Sequence, residues 1–189
     1  RPQPGMMPFE DVQVQLVDLP PVSDEHMDPW LPELVRGADG VILVVDATSP
    51  LLPDDVEVVR ARLAAVRVPL VRELPLDGDP REAPARTFMV ITKIDGAEED
   101  DVAVLEDMYA PLYPVARVSA PLGQGLEALK ARLWPWLQLV RVYARPPGKP
   151  VDRGAPFVLH HGATVHDLAV KIHRDLADRL EFARVWGGE

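Results

Sequence analysis

Three places in the 189-residue chain set polar side chains at the ends of apolar runs, where a binding site could be built. Met89-Val-Ile-Thr-Lys-Ile-Asp95 is a run of strand-forming residues that closes on Thr92-Lys93-Ile94-Asp95. Its Asp is an ionised acceptor with two oxygens, its Lys a cation on a long apolar stem, and its Thr a short hydroxyl. Val115 to Val118 closes on Ser119-Ala120, and Val12 to Val17 on Asp18-Leu-Pro-Pro21. By residue type alone each could be an ordinary polar strand end. The adjacent His160-His161 is a weaker candidate for metal chemistry: neighbours in an extended segment point to opposite faces, and no other ligands stand nearby in the sequence. Lys171, His173 and Arg174 read as a solvated helix side, and Trp134 and Trp136 beside Pro135 as packing residues where two domains meet.

The elements that must position these residues alternate extended apolar runs with helical spacing, the pattern of a parallel sheet with helices on its faces. Strands are expected at Val12 to Asp18, Gly40 to Asp46, Thr87 to Thr92 and Val115 to Val118. Helices are expected through Trp30 to Ala38, Val56 to Val66 after the acidic Asp54-Asp55 start, Val102 to Tyr109, and Gly125 to Leu137. Three prolines and a Gly-Asp pair make Glu73 to Arg86 a surface loop. The pattern changes near Leu139. A strand at Val140 to Ala144, a turn-rich connector from Arg145 to Gly154, a strand at Pro156 to Leu159 and a strand near Phe182 to Val185 read as a small α+β module. Its helix opens at Thr164, with Asp167 at capping-box spacing.

Thr92-Lys-Ile-Asp95 followed one helix later by Ser119-Ala120 resembles the guanine-reading half of a GTPase site, and the chain as a whole resembles Obg/DRG-type GTP-binding proteins. That resemblance implies that Asp95 accepts two hydrogen bonds from the guanine ring N–H and exocyclic amine, a pair adenine cannot offer. It implies that Lys93 packs its stem along the base, that Thr92 replaces the usual Asn, and that the Ala120 N–H meets the guanine carbonyl beside Ser119. Asp18-Leu-Pro-Pro21 resembles the Asp-x-x-Gly motif, so Asp18 would approach magnesium through a water. Pro21 stands where the family has a glycine whose N–H meets the γ-phosphate; proline has no N–H. Val22 follows where Ras-like proteins carry a catalytic glutamine. The cofactors implied are GTP and Mg2+. No Gly-x-x-x-x-Gly-Lys-Ser/Thr phosphate loop occurs in these residues. Val140-Arg-Val-Tyr-Ala-Arg-Pro-Pro-Gly-Lys149, Lys171-Ile-His-Arg-Asp-Leu176 and Ala183-Arg-Val-Trp-Gly187 resemble a TGS domain.

The resulting expectation is an α/β chain: a partial P-loop NTPase domain over residues 1–139, its mostly parallel sheet bearing helices on both faces, then an incomplete β-grasp TGS domain over residues 140–189. The resemblance implies slow GTP hydrolysis in an intact parent and association with the ribosome or RNA through the TGS domain. A degenerate G domain acting as a scaffold is the rival reading, and Pro21 favours it.

Composition narrows the classes. With 47% hydrophobic residues the chain can bury a core, and without cysteine it forms no disulfide or thiolate metal site. The net charge of −10 argues against general nucleic-acid binding, and no DNA partner is expected. Residues 1–139 hold 12 Lys and Arg against 24 Asp and Glu, whereas residues 140–189 hold 8 against 6. The longest apolar run, Gly40 to Val45, is far short of the roughly 18 residues that read as a membrane span, and no basic-then-apolar leader opens the chain. A cytoplasmic protein without membrane contact is expected.

Overall fold

The computed structural model describes residues 2–145, 148, 150–154 and 156–187. The chain folds as two compact units, one of Arg1–Gly5 with Val17–Leu133, the other of Met6–Leu16 with Trp134–Glu189.

The first unit is built around β5 (Ala85–Thr92), whose side chains are nearly all buried. Burial on both faces is the signature of a central strand in a parallel sheet. β3 (Val41–Asp46) runs parallel along one edge of β5, in a register that sets Val41 against Thr87 and Asp46 against Thr92. β4 (Leu70–Val71) and β6 (Val115–Arg117) also pair with β5 in parallel, β4 at its beginning and β6 at Met89 to Ile91. Parallel neighbours need long connections. α2 (Leu52–Ala65) leads from β3 to β4, the turn-rich residues 72–84 from β4 to β5 and α3 (Glu99–Tyr109) from β5 to β6, while α1 (Leu31–Arg36) precedes β3 and α4 (Leu126–Leu137) follows β6.

Period-2 alternation decides which helix meets which face of the sheet. Met89 and Ile91 of β5 join Leu43 and Val45 of β3 in a core closed by Leu31, Leu52, Val56, Leu63 and Val102 of α1, α2 and α3. The opposite β5 face carries Phe88 and Val90, both buried; α4 reaches that side, laying Arg132 5.1 Å over the Phe88 ring. Arg132 also donates to the Val115 carbonyl at 2.6 Å. Arg117 on β6 ties α3 down through Glu99 at 2.6 Å and Glu106 at 3.2 Å. The mixed α/β architecture with a parallel sheet and helices on both faces is the one expected from the sequence.

The second unit contains β7 (Leu139–Val142) antiparallel to β8 (Phe157–His160), then α5 (Val165–Ile172) and α6 (Arg174–Asp178). Thr164 and Asp167 form the expected capping box, each accepting from the other's backbone N–H. The segment Met6–Leu16 belongs here. It contains most of β1 (Gln3–Phe9) and β2 (Val12–Asp18), which form a two-stranded sheet. Phe9 stacks on Trp134 at 5.5 Å, and Arg141 lies 5.0 Å over the Trp134 ring while pairing with Asp11 at 2.8 Å and with Glu10.

Two expectations need correction. Phe182 to Val185 is not a strand: with Phe182 and Val185 both exposed and no segment among the described residues paired to it, the stretch has β-forming residues and no ladder. β1 and α6 are elements that the sequence pattern does not announce. Pro4, Gly5 and Pro8 argue against a strand, and proline is tolerated there because a two-stranded sheet consists only of edges. Of the connector at 145–154, residues 146, 147 and 149 lie outside the described ones.

Gly125 fixes the turn from β6 into α4. Its φ is +76°, and a Cβ there would run into the Arg117 carbonyl oxygen. Gly125→Ala should therefore destabilise the first unit by more than about 1 kcal/mol, read as a lowered denaturant midpoint at unchanged m-value.

Candidate functional site: the carboxyl ends of β3, β5 and β6

In parallel sheets, ligands gather outside the carboxyl ends of the strands, where backbone groups leave the ladder. Here three such ends coincide. The β3–β5 register carries through to Asp46 and Thr92, and beyond it the Ala47 N–H donates to the Thr92 carbonyl at 3.0 Å. Thr92 Oγ1 donates to the Val45 carbonyl at 2.8 Å, so this hydroxyl seals the strand end. Beyond β6, the Val118 N–H donates to the Ile91 carbonyl at 2.8 Å, and the Ile94 N–H reaches the Val118 carbonyl at 3.5 Å.

Between Thr92 and the one-turn 3-10 helix Ile94–Gly96 stands Lys93, at φ +57° and ψ 33°. A left-handed backbone costs a non-glycine residue on the order of 1 kcal/mol and persists where surrounding contacts dictate it. The contacts are visible. Lys93 Nζ meets Asp46 Oδ2 at 2.5 Å, while Asp46 Oδ1 accepts from the Thr48 N–H at 2.9 Å and from Thr48 Oγ1 at 2.7 Å. The turn after β3 also presses on the 3-10 helix: a Cβ added to Gly96 would stand 3.1 Å from Thr48 Cγ2.

Asp95 is exposed on this turn, and no described residue hydrogen-bonds its carboxylate. Ser119 is fully buried, its N–H donating to the Gln124 carbonyl at 3.0 Å and its Oγ accepting from the Leu122 N–H at 3.4 Å. The serine thus shapes the turn. Ala120, next in the chain, is exposed and its N–H has no hydrogen bond among the described residues. Thr92, Lys93, Asp95, Ser119 and Ala120, the residues singled out in the sequence, therefore belong to two neighbouring turns, joined through Ile94 and Val118.

Asp18 stands apart. It is the exposed last residue of β2, which pairs with β1 and not with the main sheet. The residues after it are anchored: Leu19, Val22 and Met27 pack against the core, and Arg62 of α2 donates to the carbonyls of Ser23, at 3.1 Å, and Asp24. No hydrogen bond or ion pair among the described residues joins Asp18 to either of those two turns. Magnesium held through waters needs only one or two carboxylates beside phosphate oxygens, and an exposed Asp18 fits that modest demand. Among the described residues no group of three or more His, Asp or Glu side chains is placed to hold an ion, His160 and His161 included. The base half fits a guanine better, since it offers one free carboxylate and one free N–H.

Asp46 and Thr48 join the site without any sequence expectation behind them. A signal is present in Asp46-Ala-Thr-Ser49, because Asp followed two residues later by Thr at a strand end favours a side chain bonded to its own turn.

Residues 140–189 match the TGS domain family. An uncharacterized GTP-binding protein of Halobacterium salinarum is 27% identical across 97% of this chain and 66% of its own length. Developmentally-regulated G-protein 1 of Arabidopsis thaliana is 38% identical across 52% of this chain and 24% of its own length. This chain is similar to DRG-type GTP-binding proteins, and its residues 140–189 carry the TGS domain match. It spans between about a quarter and two thirds of these relatives. For the fold, the G domain of the T. maritima FeoB iron transporter superposes with a TM-score of 0.50 at 22% identity, covering 72% of this chain and 76% of that one. No helix among the described residues is long and apolar enough to cross a membrane.

The Lys93 ammonium, with Thr48, lowers the Asp46 carboxyl to about 2 from the ordinary 3.8. A depressed folded-state pKa means stability that is fully present above the unfolded value and is lost as pH falls toward 2. Carboxyl-detected NMR should place the Asp46 midpoint near 2, and Lys93→Met should raise it.

Proposed function

We propose that this chain supplies the guanine-reading half of a GTP-binding protein. The observation that carries the reading is the Thr92–Gly96 turn, in which Lys93 is held by Asp46 and the Asp95 carboxylate is free, next to the Ser119 turn whose Ala120 N–H has no hydrogen bond among the described residues. Asp95 accepts from the guanine ring N–H and its exocyclic amine. The Ala120 N–H donates to the guanine carbonyl, the Lys93 stem covers the base, and Thr92 and Ser119 brace the two turns. Asp18 contributes the water-mediated contact to magnesium, and the metal would neutralise phosphate charge during hydrolysis.

The phosphate half needs backbone N–H groups and a lysine around the β- and γ-phosphates, and these residues contain no phosphate-loop sequence. Slow GTP hydrolysis is accordingly proposed for an intact parent protein, with Pro21 weakening its discrimination between GTP and GDP. A scaffold reading keeps one specific support: Pro21 removes the N–H that would sense the γ-phosphate.

For the 189-residue chain, GTP and GMP should bind alike and more weakly than about millimolar, because only the base is read. Asp95→Asn should lower GMP affinity by a factor of ten or more, since two hydrogen bonds to a charged acceptor carry about 2 to 4 kcal/mol after partial compensation. It should shift preference toward xanthosine monophosphate, whose extra carbonyl suits the asparagine amide. Unchanged GMP affinity in an NMR titration would sink the assignment.

The TGS domain is proposed to make the contact with ribosome or RNA in the cytoplasm. Its charge balance supports this, since residues 140–189 hold 8 basic against 6 acidic residues on an otherwise acidic chain. Arg174 and Arg179 are exposed. Replacing both with Glu should reduce ribosome co-sedimentation and flatten its fall with rising salt. Co-sedimentation equal to wild type at every salt concentration would rule the TGS contact out.

A further inference from the structure

We propose that Asp46 is a positioning residue for guanine recognition, acting through Lys93. This role rests on the guanine reading of the Thr92–Gly96 turn and gives that turn a support outside its own motif.

Lys93 is the hinge of the turn, in a left-handed conformation that a lysine does not adopt for its own sake. Its neighbours are fixed by hydrogen bonds: the Thr92 hydroxyl donates to the Val45 carbonyl, the Thr92 carbonyl accepts from the Ala47 N–H, and the Ile94 N–H donates to the Val118 carbonyl. The lysine side chain is 63% exposed, and its ammonium is held by Asp46 at 2.5 Å. Asp46 in turn has no freedom to follow a moving ammonium. One of its oxygens is clamped by the N–H and hydroxyl of Thr48, which leaves the other aimed at Lys93. The β3–β5 register sets this carboxylate directly beside Thr92, one residue before the lysine it holds.

The consequence concerns order before the ligand arrives. An unrestrained lysine must give up rotamer freedom when its stem is laid along a base, a cost that lowers affinity. Holding Nζ at the end of β3 removes much of that cost in advance. Asp46 itself does not touch the base, so its loss should act only by freeing Lys93.

The test is an NMR titration of the isotope-labelled 189-residue chain with GMP, comparing wild type, Asp46→Asn and Asp95→Asn. Asparagine keeps an oxygen for Thr48 and loses the charge that holds the ammonium. The expected result for Asp46→Asn is a 3- to 10-fold weaker GMP dissociation constant, a lowered melting temperature with the fold retained at the temperature of the titration, and a Lys93 Nζ resonance shifted toward that of a free lysine. Unchanged GMP affinity overturns the proposal, as does weakened affinity with the Lys93 resonance in place. If Asp95→Asn weakens GMP and Asp46→Asn does not, the guanine reading stands and the positioning role falls. If the wild-type chain does not bind GMP, both fall. Should Asp46→Asn fail to fold, Thr48→Val loosens the same carboxylate while leaving its charge, and is read by the same two signals.

Discussion

The parallel pairing of β3 with β5 is the constraint on which the candidate site depends. Six residue pairs run in step from Val41–Thr87 to Asp46–Thr92, and both strands bury alternate side chains in a common core. A slip of one residue would turn Met89 and Ile91 away from that core and expose Phe88 and Val90 to the helices meant for their neighbours. Because the core forbids the slip, the strand ends are fixed as well. The register that buries methionine and isoleucine also sets Asp46 beside Thr92, and the chemistry at the strand ends is inherited from packing in the middle.

From that fixed edge the recognition turn is assembled largely by contacts from outside it. Thr92 uses its hydroxyl proton to close the ladder and so has no side-chain donor to offer a ligand. Ser119 is likewise engaged in its own turn, fully buried and bonded at both N–H and Oγ. What stays free is what a flat, hydrogen-bonding ligand could use: the Asp95 carboxylate and the Ala120 N–H. In these two turns the buried Ser119 is satisfied internally, and the unpaired groups are exposed.

The second unit follows a different logic. It has little buried apolar surface, Ala169 and Ala177 being the buried residues of its helices, and it relies on directional contacts. Arg141 is central there, lying against the stacked rings of Phe9 and Trp134 and paired to the acidic turn Glu10-Asp11. Tyr143 donates to Asp11 as well, which holds that carboxyl below the usual range. A planar guanidinium can stack and pair at once, which lysine cannot do. Met6–Leu16 is thereby recruited to a unit whose other residues begin at Trp134.

The sequence by itself determined the parallel α/β class, the strands β2, β3, β5 and β6 with the helices α1 to α4 among them, the capping box at Thr164, and the residue types at the strand ends. These are local signals. Hydrophobic period, capping spacing and the polar residue after an apolar run are all written within a few positions of one another. Only the tertiary structure decided the rest. Asp46 becomes the partner of Lys93 because β3 and β5 lie side by side, a distance of 47 residues along the chain. β1 could not be read because its prolines and glycine argue against a strand, and a sheet of two edges tolerates them. Phe182 to Val185 failed as a strand for the converse reason: β-propensity is satisfied only by a neighbouring backbone, and none of the described residues pairs with it. Which groups stay free for a ligand is likewise a tertiary fact, since Thr92, Ser119 and Asp95 are equally polar in the sequence and differ only in what the folded chain leaves for them to bond.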